Sequence, residues 1–379
     1  MAKDKFYSIR HLIQLHPDAQ YYVVYGQRSN GKTYSTIDYC LEDYFKNGHE
    51  IAYIRRWKED IKQSNMNKLF DGLIRDGKIK KYSKGKYEDV LYYGRAFYLV
   101  GYENITKEDG TIERKKIVHD KPFMYVYVLT EEEHNKGFES PEIWNIIFDE
   151  FIARGRYLPD EFITFQNTLS TIIRLRDNVK IFMLGNTINR YSIYFNEMGL
   201  SNIQKQKIGT IDVYNYGGSG LKVVCEYSDI EAKKKRSDVY FAFENPKLQM
   251  ITRGAWEIAI YPHLYPDMKY LPKDVKYFYF IEFDKILLQC DIIALKDKKM
   301  LFTFIHLKTT PIKEDNKNLV YTLNPNAKKN YRRNLLIAFS PLEKLIVDMF
   351  KKDKVFYQNN EIGDVVRNYI NVCRPLNFR

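Results

Sequence analysis

Cysteine is scarce: the 379 residues hold four, Cys40, Cys225, Cys290 and Cys373, and no two form a C-x-x-C pair. That scatter suits neither a disulfide framework nor a zinc site, and it fits a reducing cytoplasm. Long apolar runs are missing as well. No stretch reaches the roughly 18 residues that mark a membrane-spanning helix, so no membrane part is expected. Met1-Ala2-Lys3-Asp4-Lys5 lacks the apolar stretch of a signal peptide. What is present is an ordered, globular composition, 45% hydrophobic and 15% aromatic, with 32 Tyr and 23 Phe. The length suits two domains, each with its own core.

Acid is in deficit: the formal charge is +12. From Asp229 to Arg379 there are 27 Lys and Arg against 18 Asp and Glu, so most of the surplus lies in the last two-fifths. A basic surplus with many aromatics points to a polyanion, nucleic acid before membrane. Ordinary solubilising charge is the alternative.

One stretch names a chemistry. Gly26-Gln27-Arg28-Ser29-Asn30-Gly31-Lys32-Thr33 fits G-x-x-x-x-G-K-[ST]. It follows a strand-like apolar run, Tyr21 to Tyr25, and precedes a helical pattern from Tyr34 to Phe45, which is the context the motif requires. Loop N–H groups and the helix N-terminus form an anion hole for phosphates. Lys32 is expected to reach the β- and γ-phosphates of ATP, and the Thr33 hydroxyl to ligate Mg2+.

Further strands are predicted at 51–54, 96–100, 124–129, 144–148 and 180–184, with a helix over 160–175 and a charged hairpin or loop over 107–119. This alternation predicts an α/β fold with a largely parallel sheet. The register changes after Tyr227. A charged helix or connector is read over 230–240, and Pro246, Pro262, Pro266 and Pro272 then break the chain. Antiparallel strands follow at 277–281, 286–294 and 301–306, with a turn at Asp297-Lys298-Lys299 and amphipathic helices near 341–350 and 361–372.

The 144–148 strand ends in Asp149-Glu150. Downstream of a P-loop, such an Asp orders the Mg2+ shell and the next Glu polarises the attacking water. Arg174 and Arg176 leave the 160–175 helix, where an oligomeric ATPase can place an arginine that reaches a neighbouring site; a solvated helix end is the alternative. Asn186, after the 180–184 strand, is a candidate γ-phosphate sensor or a plain turn residue. A GTPase is disfavoured because Asn67-Lys68-Leu69-Phe70-Asp71 is one residue too long for N-K-x-D. A small-molecule kinase has no need of Glu150.

Taken in order, GQRSNGKT, Ile54-Arg55-Arg56-Trp57-Lys58, Ile147-Phe148-Asp149-Glu150-Phe151-Ile152, Ile173-Arg174-Leu175-Arg176 and Leu184-Gly185-Asn186 resemble the DNA packaging (encapsidation) ATPase of phi29-like tailed bacteriophages. The resemblance covers most of the chain and is specific in the first 200 residues. It implies an ASCE-type P-loop ATPase domain over 1–227, a linker over 228–258 and a smaller α+β RNase H-like domain, an inactive nuclease, over 259–379. It implies a homopentameric ring on the portal of a procapsid in the host cytoplasm, moving double-stranded DNA inward with ATP and Mg2+, with a structural RNA in some relatives. By position, Arg174 resembles the trans-acting arginine finger and Lys136 a second trans-acting cation. Lys58, with Arg154 or Arg156, would face DNA. Two alternatives stay open: a helicase-like or recombination ATPase, and a metal-dependent nuclease using Glu282 and Asp284 on one strand face with Asp291 on the next strand.

Overall fold

Short runs that are apolar at nearly every interior position, not every second one, suit strands covered on both faces. Tyr21–Gly26, Glu50–Arg55, Ile143–Asp149 and Lys180–Asn186 are of this kind, with interiors almost wholly buried. The computed structural model describes residues 6–28, 30–106, 112–131, 142–153, 157–158, 160–174, 176–187, 192–203, 205–229, 261–295, 299–324, 326 and 328–373. The chain divides into two compact units, one made of residues 1–154 and 160–256 and the other of residues 155–159 and 257–379. The 230–240 connector, and all but the first two residues of the 228–258 linker, lie outside the described residues.

The first unit holds β1 (Tyr21–Gly26), β2 (Glu50–Arg55), β3 (Asp89–Tyr93), β4 (Ala96–Thr106), β5 (Ile112–Val118), β6 (Met124–Val128), β7 (Ile143–Asp149), β8 (Lys180–Asn186), β9 (Ile211–Tyr216) and β10 (Leu221–Ser228). They form one sheet in the order β3-β4-β6-β2-β7-β8-β1-β10-β9, with β5 paired to β4. The run from β6 to β10 is parallel throughout. The expected parallel α/β sheet is therefore present. Reading the sequence missed β3, β9 and β10. β3 and β4 form a hairpin whose two-residue turn, Gly94-Arg95, has positive φ at both positions, as a tight hairpin requires. The helices here are α1 (Arg10–Leu15), α2 (Lys32–Asn47), the short α3 (Gln63–Met66), α4 (Asp71–Arg75) and α5 (Lys78–Tyr82), then α6 (Glu161–Ile173) and α7 (Ile193–Glu197).

Register decides what meets what. β1 lies between β8 and β10, and pairing sets Gly26 beside Asn186 on one side and Ser228 on the other. β8 separates β1 from β7, so the strand bearing Asp149 is one strand removed from the P-loop strand. The C-terminal ends of four parallel strands thus share one edge, where open α/β sheets place ligands.

The second unit holds β11 (Val275–Phe283), β12 (Ile286–Leu295), β13 (Met300–Leu307), β14 (Val320–Thr322), β15 (Tyr331–Arg332) and β16 (Val355–Tyr357), in the order β15-β14-β11-β12-β13-β16. β11, β12 and β13 form the expected antiparallel meander, while β14, β15 and β16 add in parallel. The Asp297-Lys298-Lys299 turn falls largely outside the described residues. α8 (Pro341–Lys351) starts with Ser340 accepting the Glu343 N–H at 3.2 Å and Pro341 in the first turn, a strong start signal. α9 (Asn360–Cys373) buries Ile362, Val365, Val366, Tyr369 and Cys373 at helical spacing.

One expectation fails here. Asp284 does not share a strand face with Glu282: β11 ends at Phe283, and Asp284-Lys285 make the turn with φ of 50° and 63°. Asp291 pairs with Phe278, four residues from Glu282, which is about 13 Å along a strand. Asp291 instead binds His306 at 3.2 Å and Gln289 at 2.9 Å. The three acids therefore do not converge. Among the described residues no helix is long and apolar enough to cross a membrane.

Candidate nucleotide site

The site grows from the end of β1. Gly26 is tight against β10: a Cβ there would stand 2.1 Å from the Ser228 Oγ. Gly31 has φ of 97°, a conformation that glycine takes without strain, and α2 begins at the next residue. No side chain caps this helix and no acid occupies its first turn. Its first N–H groups and its dipole therefore favour an anion. They border a pocket of about 370 Å3 lined by Arg28, Asn30, Gly31, Lys32, Thr33, Tyr34, Asp149, Glu150, Leu184, Gly185 and Asn186.

Lys32 is buried, and its ammonium donates to the Gln27 carbonyl at 2.7 Å and the Asn30 Oδ1 at 3.1 Å, with the Gly26 carbonyl and Asn186 Oδ1 at 3.4 and 3.5 Å. Burial pushes its pKa down to about 8, against the opposing pull of Asp149. A polyphosphate would supply the negative charge that such a buried ammonium lacks.

Across the pocket the Thr33 hydroxyl donates to both Asp149 oxygens, at 3.2 and 3.3 Å. Tyr53 donates to Asp149 at 2.8 Å, and the Arg55 guanidinium lies 3.6 Å away. Burial pushes the Asp149 carboxyl above its ordinary pKa, while Arg55 and the Tyr53 hydroxyl pull it back. A hydroxyl and a carboxylate in contact at the mouth of this pocket are hard oxygen donors, the set that suits Mg2+. Glu150 follows with φ of 59°, an uncommon conformation for a non-glycine residue. Its N–H donates to Asp149 Oδ1 at 3.1 Å, and its carboxylate meets Arg55 at 2.8 Å. The strained backbone turns a carboxylate that is 55% exposed toward the pocket edge.

The family model for the podovirus DNA encapsidation protein (Gp16) matches residues 1–235. The chain belongs to that family. Among curated proteins, the DNA packaging proteins of Bacillus phages PZA and phi29 are each 24% identical over 202 residues, 52% of this chain and 52% of theirs. That of Bacillus phage B103 is 25% identical over 178 residues. The chain thus spans about half the length of the curated relatives it matches. Among solved structures, the Phi-28 gp11 DNA packaging motor aligns with a TM-score of 0.54 at 18% identity, covering all of both chains. The bacteriophage Phi-29 viral genome packaging motor assembly aligns at 0.56 and 17%, covering 98% of this chain and 100% of the other. These two alignments show a shared fold.

Within this chain, Lys32, Thr33, Asp149, Glu150, Asn186, Gly26, Arg28, Asn30 and Gly31 are gathered at one sheet edge, and Gln27 contributes its carbonyl to Lys32. The other expected residues are spread more widely. Ser29, Lys136, Arg154 and Arg156 lie outside the described residues. Arg174 ends α6 with φ of 45° and an exposed side chain. Arg176 spends its guanidinium on the carbonyls of Ile143, Ile172 and Ile173 at 2.5, 2.6 and 2.9 Å, closing the end of α6 onto the start of β7. Lys58 opens a single 3-10 turn after β2 and pairs with Glu131 at 2.6 Å, with its side chain 64% exposed.

The sequence reading gave no chemical role to Tyr53, Arg55, Arg56 or Glu161. The signal was present in Tyr53-Ile54-Arg55-Arg56: residues two apart on a strand share a face, so Tyr53 and Arg55 both reach the Asp149 side. Arg56, on the other face, binds the fully buried Glu161 through Nε at 2.9 Å and the carbonyls of Glu150 and Phe151 at 3.1 and 2.6 Å. Tyr194 completes Glu161 at 2.7 Å.

Gly26→Ala tests the close approach of β1 and β10. The added methyl must displace the Ser228 hydroxyl, so the variant is expected to lose about 1–3 kcal/mol of stability and to bind nucleotide more weakly. Thermal unfolding beside nucleotide titration reads both. A variant as stable as wild type would show that the strand ends separate freely.

Proposed function

We propose that the chain is an ATP-driven motor that translocates double-stranded DNA through a portal into a procapsid. One observation carries the reading: Lys32, Thr33, Asp149 and Glu150, far apart in sequence, line one pocket at the N-terminus of α2. The P-loop N–H groups and Lys32 would hold the phosphates of ATP, and Glu150 would take the proton of the attacking water. Mg2+, held by Thr33 and Asp149, would offset charge on the phosphates. The order β1-β8-β7, with one strand between the P-loop and the Asp149-Glu150 strand, supports an ASCE-type ATPase domain over 1–227. The order β13-β12-β11-β14-β15, three antiparallel strands and two parallel additions, with β16 added in parallel on the far edge beside β13, supports an RNase H-like domain over 259–379 beyond a linker at 228–258.

On this reading the subunits form a homopentameric ring in the host cytoplasm, transiently docked on the portal. Arg174 and Lys136 reach a neighbour's nucleotide, a structural RNA is an optional partner, and Lys58, Arg154 and Arg156 contact DNA. The deciding experiment mixes the protein, ATP and DNA with purified empty procapsids and measures DNA protected from nuclease. ATP-dependent protection is expected; unwinding of a forked duplex without procapsids would support a helicase instead, and cleavage of supercoiled plasmid with Mn2+ would support a nuclease.

Lys58 has its own test. Its exposed pair with Glu131 is worth at most about 1 kcal/mol, so a DNA phosphate competes for the ammonium. Lys58→Ala is expected to weaken binding to all duplex sequences alike and to lower the salt slope by about one. An unchanged slope in a folded variant would remove Lys58 from the DNA path.

A further inference from the structure

β10 does more than flank β1. Its last residue, Ser228, is buried beside the P-loop, and its Oγ accepts a hydrogen bond from Asn30 Nδ2 at 3.0 Å. Asn30 is itself almost fully buried, and its other amide atom, Oδ1, faces Lys32, accepting from the ammonium at 3.1 Å and the backbone N–H at 3.3 Å. An amide has distinct donor and acceptor ends. With its donor end on Ser228, the acceptor end is the one turned to Lys32. The absence of a side chain at Gly26 lets Ser228 come this close, since any Cβ would collide with its hydroxyl.

We propose that Ser228 is a positioning residue for the nucleotide site, acting through Asn30 to set the place of the Lys32 ammonium and of the P-loop turn. This rests on the reading of the pocket as a polyphosphate site. The motif makes Lys32 the phosphate ligand but leaves its side chain several rotamers. A lysine has three donors and a flexible stem, and a fixed acceptor limits where the ammonium stands before phosphate arrives. Beside the Gln27 carbonyl at 2.7 Å, the Asn30 amide is one such acceptor, and Ser228 is its support. It links β10, the last described strand of the first unit, to the phosphate cradle, so a shift of the β10 end moves the lysine.

The test is a double-mutant cycle in the full chain, read with ATP and with inorganic tripolyphosphate. Asn30→Ala removes an acceptor from a charged donor and is expected to weaken tripolyphosphate binding roughly 10–100-fold. Ser228→Ala is expected to weaken it roughly 3–10-fold, by a similar factor for ATP, with KM rising more than kcat falls. The double variant should bind no worse than Asn30→Ala alone, because Ser228 acts through that amide. Ser228→Cys, nearly isosteric but a weaker partner, should fall between wild type and Ser228→Ala, and it replaces the alanine variant if that fails to fold. Full additivity of the two alanine variants, or a fall in kcat at unchanged KM, would overturn the proposal. Lys32→Ala separates the levels. If it binds tripolyphosphate like wild type, the phosphate-site reading fails; if it loses binding while Ser228→Ala and Ser228→Cys do not, only the positioning role fails.

Discussion

Glu150→Gln is expected to bind ATP with near wild-type affinity and to lose roughly 10²–10⁴-fold in kcat, the usual contribution of a general base. The amide keeps the size of the side chain and a hydrogen-bond acceptor but cannot accept the proton of the attacking water. Lys32, Thr33 and Asp149, which line the same pocket, are unchanged in this variant. Single-turnover hydrolysis beside equilibrium nucleotide binding separates the two steps. Hydrolysis at the wild-type rate would remove Glu150 from the chemistry. The same variant tests subunit cooperation. If Arg174 acts on a neighbour's nucleotide, an Arg174→Ala protein should hydrolyse slowly, and adding Glu150→Gln subunits that retain Arg174 should restore part of the turnover. No rescue in rings shown to be mixed would count against action in trans.

Glu161→Ala should be the most damaging change to stability in the first unit. Glu161 is fully buried, and its partner Arg56 is 5% exposed. Removing the carboxylate takes from this interior guanidinium its ion pair at 2.9 Å, at a cost of roughly 3–5 kcal/mol. At about 2–4 °C per kcal/mol for a unit of this size, the melting temperature should fall by roughly 6–20 °C. Arg56 also ties down the carbonyls of Glu150 and Phe151, at 3.1 and 2.6 Å. The variant should therefore lose turnover at temperatures where it is still folded, because Arg56, which holds the turn carrying Glu150, is itself no longer fixed by Glu161. A drop of less than about 1 kcal/mol would mean that the pair is solvated in solution and does not support the site.

The reach of the sequence can be judged residue by residue. Gly26 to Thr33 was legible because an anion cradle made from backbone leaves few residue choices, and those choices are local. The Asp149-Glu150 strand end was legible because a strand buried on both faces is apolar until the edge, where its chemistry starts. α9 was legible because its apolar residues repeat at helical spacing. In the second unit, β11, β12 and β13 could be read one after another because hairpin partners are neighbours in sequence. Of the parallel additions, β14 falls in Leu319-Val320-Tyr321-Thr322-Leu323, which the family resemblance marked as strand, while β15 and β16 could not be read, since a two- or three-residue strand carries almost no pattern of its own.

The sequence by itself determined the phosphate-binding motif, the acid pair and the α/β alternation, since each is written in residues that are adjacent or regularly spaced. Only the tertiary structure decided that β8 stands between β1 and β7, that Tyr53 and Arg55 flank Asp149, and that Arg56 and Glu161 brace the turn carrying Glu150. It also decided that Arg176 closes a helix end while Arg174 is exposed, and that Ser228 supports the amide facing Lys32. The physical reason is common to all of these. They depend on strand order and register, which arise from burial summed over a whole sheet, and a hydrogen bond between residues some 200 positions apart leaves no local mark in either segment.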